Sequence, residues 1–314
     1  MAEVINYSLF SDFDVDLFKT GKHYRLYEKF GSHPVTVNGV DGTYFAVWAP
    51  SAKSVSVIGD FNFWNEKQHR LSVRWDGSGI WEGFIPIAKE GMRYKYKIKS
   101  NHNMIVTEKA DPYAFSYEKP PNTASIISSI EGYKWKDKAW MGYRKDKNGL
   151  DKPYAVYEAH LGSWMRNASD NTFMSYDQLA DKLVDYLKKM NFTHVEFMPV
   201  MEYPFDPSWG YQLIGYFAPT SRFGTAKGFM HLCDRLHQND IGIILDWVPS
   251  HFPSDDHGLG FFDGSHLYEH PDPRRGYHQD WKSLIFNYGR NEVKSFLISN
   301  AFYWFDKYHI DGLR

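Results

Sequence analysis

The 314-residue chain carries 36 Lys and Arg against 38 Asp and Glu, with 43% hydrophobic and 24% charged residues, a balance close to ordinary globular usage that suggests neither a disordered chain nor a membrane protein. A formal net charge of -2 gathers no phosphates, which argues against a dedicated nucleic-acid or membrane-surface binder and for an uncharged substrate. The length exceeds what one hydrophobic core usually sustains, ~250 to 300 residues, so two domains are expected.

The amino terminus mixes Asp12, Asp14 and Asp16 with scattered apolar residues and lacks the basic start and apolar stretch of a secretory signal. No apolar run approaches the ~18 residues of a membrane span. Cys233 is the sole cysteine, so no intrachain disulfide can form. The cytoplasm is the expected compartment, with Cys233 a buried thiol on a helix. Aromatic residues reach 18%, with 11 Trp. Sugar rings stack their C–H faces on such side chains, although aromatics equally serve as core.

From Gly42 to Ser100 short alternating runs, Thr43 to Trp48, Ser54 to Ile58, Trp81 to Ile85 and Tyr94 to Ile98, predict a small β-sandwich, with a turn at Asp76 to Gly79. Pro112, Pro120 and Pro121 and the charged stretch Lys134 to Lys152 follow, placing a linker at 121–150. Beyond it the pattern changes to apolar strand, amphipathic helix, apolar strand. Strands are expected near Tyr154, His194, Ile241 and Ile310. The first intervening helix opens on a Ser175/Gln178 capping box and carries Leu179, Leu183, Val184 and Leu187 on one face. The second uses Phe229, Leu232, Cys233 and Leu236, and the third Val293, Phe296, Leu297, Ala301 and Trp304. Strands joined through helices run parallel. Two architectures fit, an open doubly wound sheet or a (β/α)₈ TIM barrel of which four units are visible. No glycine-rich phosphate loop follows a strand, which weakens the nucleotide-binding version. The long segment Pro249 to Arg290 is rich in His, Trp and Tyr and reads as ordered and functional.

In parallel β/α folds the chemistry sits where strands end. Asp246 follows three aliphatic residues, with His251 five positions on. Either the pair lies at the barrel mouth to bind sugar hydroxyls, or Asp246 caps a loop and His251 is a surface histidine. After the second strand, Trp209, Gly210, Tyr211 and Gln212 form a loop whose rings either underlie a glucose unit or pin the loop to the core. Arg314 closes the fourth strand and brings a guanidinium to the same mouth, suited to orient a carboxylate. His266, His270 and His278 lack the ligands and spacing of a structural zinc site, and are read as walling a cleft instead of holding a metal.

These segments, in order, resemble the amino-terminal part of bacterial-type 1,4-α-glucan branching enzymes of the α-amylase superfamily. The likeness rests on Gly42 to Pro50, Gly59 to Asn62 with Trp64, Trp81 to Pro86 and Asp111 to Phe115 in the first half. In the second half it rests on Tyr157-Glu158, His160 to Trp164, Trp209 to Gln212, Asp246 to His251, Asp280-Trp281, Leu284 to Arg290 and Asp311 to Arg314. Ser250, where most of the superfamily has Asn, resembles branching enzymes and not amylases, debranching enzymes or trehalose-forming hydrolases.

The resemblance implies a starch-binding-type β-sandwich with its amino-terminal segment in 1–120, and the first half of a (β/α)₈ barrel in 151–314. It implies an enzyme that cuts α-1,4 glucan and transfers the segment to a 6-hydroxyl, forming α-1,6 branches without metal or cofactor. Its partners would be glycogen or amylose chains, and the complete protein a monomer. Tyr211 would stack under the sugar, Asp246 and His251 would bind its hydroxyls, and Trp64 and Trp81 would either form a glucan platform or brace the module. Arg314 would hold a nucleophilic Asp expected two residues later, so the 314 residues are expected to be inactive alone, with a weakly stable half-barrel. The alternatives are a non-catalytic glucan-binding protein and a related debranching or trehalose-forming hydrolase.

Overall fold

The computed structural model describes residues 4–102 and 105–314. Helix α1 (Asp12–Lys19) opens on a reciprocal capping box between Ser11 and Asp14 and turns Val15 and Phe18 inward. The next eight strands form two antiparallel sheets. One has the order β1 (Gly31–Val37), β2 (Val40–Trp48), β5 (Ile80–Ile85), β4 (Ser72–Val73). The other has β3 (Ala52–Gly59), β6 (Arg93–Ser100), β7 (Val106–Lys109), with β8 (Ser125–Ile126) also pairing β6. The rings of Phe45 on one sheet and Tyr94 and Tyr96 on the other are fully buried, with Phe45 meeting Tyr94 edge-on at 5.1 Å, giving the expected sandwich.

Residues 121–150 are not a bare linker. Strand β8 adds Ile126 and Ser125 opposite Arg93 and Tyr94 of β6, and α2 (Lys138–Lys147) docks under the second domain. A two-residue strand is too short to show periodicity, and α2 carries charges all along its exposed face, so neither was visible as a pattern.

The second half contains β9 (Val156–Ala159), α3 (Leu161–Trp164), α4 (Tyr176–Lys189), β10 (His194–Phe197), β11 (Met201–Glu202), β12 (Gly215–Pro219) and α5 (Ala226–His237). It continues through β13 (Gly242–Leu245), β14 (His251–Phe252), α6 (Pro273–Gly276), β15 (Tyr277–His278), β16 (Ser283–Ile285), α7 (Asn291–Tyr308) and β17 (Gly312–Leu313). Strands β9, β10, β13 and β17 pair in parallel in that spatial order. Helices α4, α5 and α7 make the crossovers. The Ser175/Gln178 capping box is formed, and Leu179, Leu183, Val184 and Leu187 face the sheet. Cys233 is buried on α5. The loop after β13 is ordered, with β14, β16 and β15 forming a small antiparallel sheet. No helix among the described residues is long and apolar enough to cross a membrane.

One hydrophobic core runs through both halves. Tyr113, in the exit segment of the sandwich, stacks between Phe30 at 5.0 Å and Phe217 at 4.8 Å and meets Phe296 edge-on at 5.3 Å. Phe115 stacks on Tyr303 at 5.6 Å. Aromatic pairs of this kind add about 0.5–1.5 kcal/mol each beyond area burial, so the two halves are joined by core and not merely by contact.

Candidate glucan site at the strand ends

The backbone ladder sets the site. The Asp246 N–H donates to Phe197 O at 2.9 Å and the Arg314 N–H to Leu245 O at 2.9 Å, while the Trp247 N–H donates to Arg314 O at 3.1 Å. Asp246 and Arg314 therefore stand side by side just past the ends of β13 and β17, at the face where parallel β/α folds place their chemistry. Arg314 Nη1 donates to Asp246 Oδ2 at 2.7 Å, and the Tyr211 hydroxyl donates to the same oxygen at 2.6 Å. Among the described residues Asp246 Oδ1 has no partner, so a carboxylate fixed by two donors presents one open acceptor.

The loop that delivers Tyr211 needs glycine. Gly210 has φ +88°, and a Cβ there would meet Pro199 O at 2.5 Å. Trp209 before it is also left-handed, at φ +54°, and its exposed ring stacks beside His160 with centroids 5.8 Å apart. It is therefore not pinned in the core. Burial, reinforced by the adjacent Asp246 carboxylate, pushes the Tyr211 phenol up to about 12, so it remains a donor at neutral pH. The neighbouring Gln212 Oε1 is buried and has no hydrogen-bond partner among the described residues.

His251 joins the cluster through Tyr211 instead of touching Asp246. Its Nε2 lies 2.9 Å from Tyr211 O and its Nδ1 2.7 Å from Ser250 Oγ. A carbonyl can only accept, so Nε2 carries the proton and the Ser250 hydroxyl donates to Nδ1. Burial lowers the His251 pKa, keeping the ring neutral in this tautomer. His278 and the exposed Trp281 ring complete the wall, 6.0 and 5.1 Å from the His251 ring.

Sequence reasoning gave no site role to two carboxylates. Arg314 Nε lies 3.5 Å from Glu196 Oε1 and Nη1 lies 3.7 Å from Glu158 Oε1. The only signal was the polar residue inside the apolar run of each strand. In this structure the acid that Arg314 holds is Asp246. Burial raises the Glu196 pKa, and Arg314 only partly counters it.

The two β-module indoles do not form one platform. Trp64 is 38% exposed beside Phe63, but Trp81 is 9% exposed, with its indole N–H donating to Ala49 O at 3.0 Å. Trp81 lies on β5, whose residues are buried throughout, so it braces the sandwich. The loop histidines are dispersed: His266 pairs with Glu269, His270 accepts the Asp272 N–H, and His278 lies by His251. No cluster of three or more metal-ligating groups occurs among the described residues.

Two family models match along the chain. Residues 29–114 match carbohydrate-binding module 48 (isoamylase N-terminal domain) and residues 166–283 match the alpha amylase catalytic domain. The chain is 59% identical to the 1,4-alpha-glucan branching enzyme of Albidiferax ferrireducens over 97% of its own length and 48% of that protein. It is 54% identical to that of Gloeobacter violaceus over 98% of its own length and 42% of that protein. Among solved structures, a pullulanase from Bacillus acidopullulyticus superposes with a TM-score of 0.69 at 23% identity, covering 91% of this chain and 38% of the other, which speaks to fold alone. The chain thus spans less than half the length of these curated relatives, and over that span it is similar to 1,4-alpha-glucan branching enzymes at 54–59% identity.

Proposed function

We propose that these residues form the glucan-grasping half of a branching enzyme, which cuts α-1,4 glucan through a covalent glucosyl intermediate and passes the segment to a 6-hydroxyl. The observation that carries this reading is the Tyr211–Asp246–Arg314 cluster, whose open Asp246 oxygen faces a mouth rimmed by exposed aromatic rings. A sugar would lay its apolar face on Tyr211 or Trp209 and donate a hydroxyl to Asp246 Oδ1. The unpartnered Gln212 oxygen would accept another, relieving a desolvation cost of about 1–3 kcal/mol. Ser250, where most of the superfamily has Asn, supports a branching enzyme over related hydrolases.

Retaining transfer needs two carboxylates ~5 to 5.5 Å apart, one to attack the anomeric carbon and one to shuttle the proton. The reading assigns both to the portion of the relatives outside the matched span. Asp246, Tyr211 and Arg314 then bind sugar and orient the attacking carboxylate. No metal, nucleotide or redox group is called for, glycogen or amylose chains are the partners, and a monomer in a reducing cytoplasm is the expected setting.

The test joins this chain to the remaining segment of the Albidiferax relative. The fusion should lower amylose–iodine absorbance while creating few new reducing ends, and Asp246→Asn should slow it on the order of 10²-fold or more through misplacement of the sugar. Stoichiometric release of reducing ends would replace the reading with a hydrolase. Retardation in glycogen gels with no change in iodine absorbance would leave a glucan-binding protein.

A further inference from the structure

Away from the mouth, a cavity of about 550 Å³ opens at the joint between the β-module and the barrel. Strand β7 lines one side with Val106, Thr107 and Lys109, and the loop after β14 lines the other with Ser254, Phe261 and Glu269. The size lies within the ~300 to 1,000 Å³ of small-ligand sites.

Its floor is built but unfinished. Glu269 is 1% exposed. Its Oε1 accepts the Phe261 N–H at 2.9 Å and lies 3.0 Å from His266 Nδ1, while its Oε2 is buried with no hydrogen-bond partner among the described residues. Lys109, equally buried, donates to Asp256 O at 2.5 Å and Gly260 O at 2.7 Å. An ammonium has three donors, and the third has no acceptor among the described residues. Glu269 and Lys109 make no ion pair, so the lining offers an unused acceptor and an unused donor that do not satisfy each other. A buried carboxylate oxygen left this way is costly unless a ligand or water completes it.

The rim is apolar. The Phe261 ring is 39% exposed, and Val106 is exposed on the facing strand. Hydroxyl groups both donate and accept, so they suit the gap between a carboxylate oxygen and an ammonium proton. The C–H face of a pyranose suits the ring. A free carboxylate or phosphate would be repelled by Glu269, and a simple cation would find no apolar need for Phe261.

We propose that this joint cavity is a second glucan-binding site, in which a glucose unit lies on Phe261 and places hydroxyls against Glu269 Oε2 and Lys109 Nζ. The identity of the sugar rests on the function proposed above. The location does not, because it is set by the cavity, the ring and the two unused polar atoms. A glucan held there would span β7 of the module and the loop whose first residues, β14, carry His251, and so would tie chain capture to the mouth.

Deuterium exchange of the 314-residue chain with and without maltoheptaose tests both. Slowed exchange in residues 106–109 and 260–269, retained in Asp246→Asn, is the expected result. Phe261→Ala and Glu269→Gln should each weaken that protection by about tenfold in ligand concentration, the effect of one charged hydrogen bond or a lost stacking face. Phe261→Ala removes an exposed ring, so its fold is expected to stand, and an unchanged melting temperature checks this. Protection confined to residues 199–212 and 246–251 would overturn the second site and leave the function standing. Protection of the joint without the mouth would do the reverse. Protection at neither would overturn both.

Discussion

Tyr211 is the residue on which the mouth turns, because its side chain, its carbonyl and its neighbours serve three different partners. Its phenol is held up at about 12 by burial and by Asp246. Replacing Asp246 by Asn removes the negative charge and leaves the Arg314 cation, so the phenol should titrate lower, toward the ordinary tyrosine value of ~10. A ¹³Cζ NMR titration of Tyr211 reads this directly, and an unchanged or higher value would contradict the arrangement. The sequence made Asp246, His251 and Arg314 legible because polar residues at the ends of aliphatic runs are conspicuous. It could not reveal that His251 reaches Asp246 only through Tyr211, since that depends on the left-handed turn at Trp209 and Gly210. Nor could it tell Trp81 from Trp64: both are tryptophans in a β-rich region, and only the register that pairs Trp81 with Val47 and Val73 shows which one the second sheet covers.

At the scale of elements, α2 fastens the bottom of the half-barrel through a buried charge lattice. His237 Nδ1 lies 3.1 Å from Asp137 Oδ2 and its Nε2 3.1 Å from Asp311 Oδ2, while His309 Nδ1 lies 2.7 Å from Asp137. The Trp140 indole donates to Asp311 at 2.9 Å. Burial alone would lower the His237 pKa, but the two carboxylates outweigh it and the value stands above the ordinary one. Burial would likewise raise Asp137 and Asp311, but their hydrogen bonds, led by those with His237, hold both below the usual carboxylate range. The raised imidazole contributes stability that is complete below its unfolded value and lost as pH climbs through the folded one. The lowered carboxylates contribute stability that is complete above their unfolded values and lost as pH falls through the folded ones. The lattice is therefore strongest between ~4 and ~6.5. His237→Ala takes one partner from each of two buried carboxylates, leaving Asp137 with His309 and Asp311 with Trp140 and the Ile243 N–H, and should cost about 1.5–3 kcal/mol. Denaturant melts across pH should show the gap to wild type widest in that window, and a pH-independent gap would argue for simple loss of packing. Regular helices and strands were readable from their apolar spacing. This lattice was not, because its members come from positions about 70 to 170 apart, and no local pattern joins them.

For the whole molecule, four parallel strands with open edges at β9 and β17 led to the expectation of a folded module and a weak half-barrel. The shared core points the other way. Tyr113, Phe30, Phe217 and Phe296 form one packed stack across the joint, so the module braces the barrel that its own strands leave open. Phe217 is fully buried, and Phe217→Ala should cost about 3–5 kcal/mol. It should shift one unfolding transition, seen alike by near-ultraviolet signal from both halves. Two separate transitions, with only the later residues destabilised, would restore the original expectation. The aromatic seam also bears on how such proteins can be recombined. A module that enters its neighbour's core is not a portable cassette: exchanging it for another sandwich would expose Phe217, Phe296 and Tyr303 as a greasy scar. Domain swaps should therefore succeed only when the exit segment carrying Tyr113 and Phe115 travels with the barrel it fits.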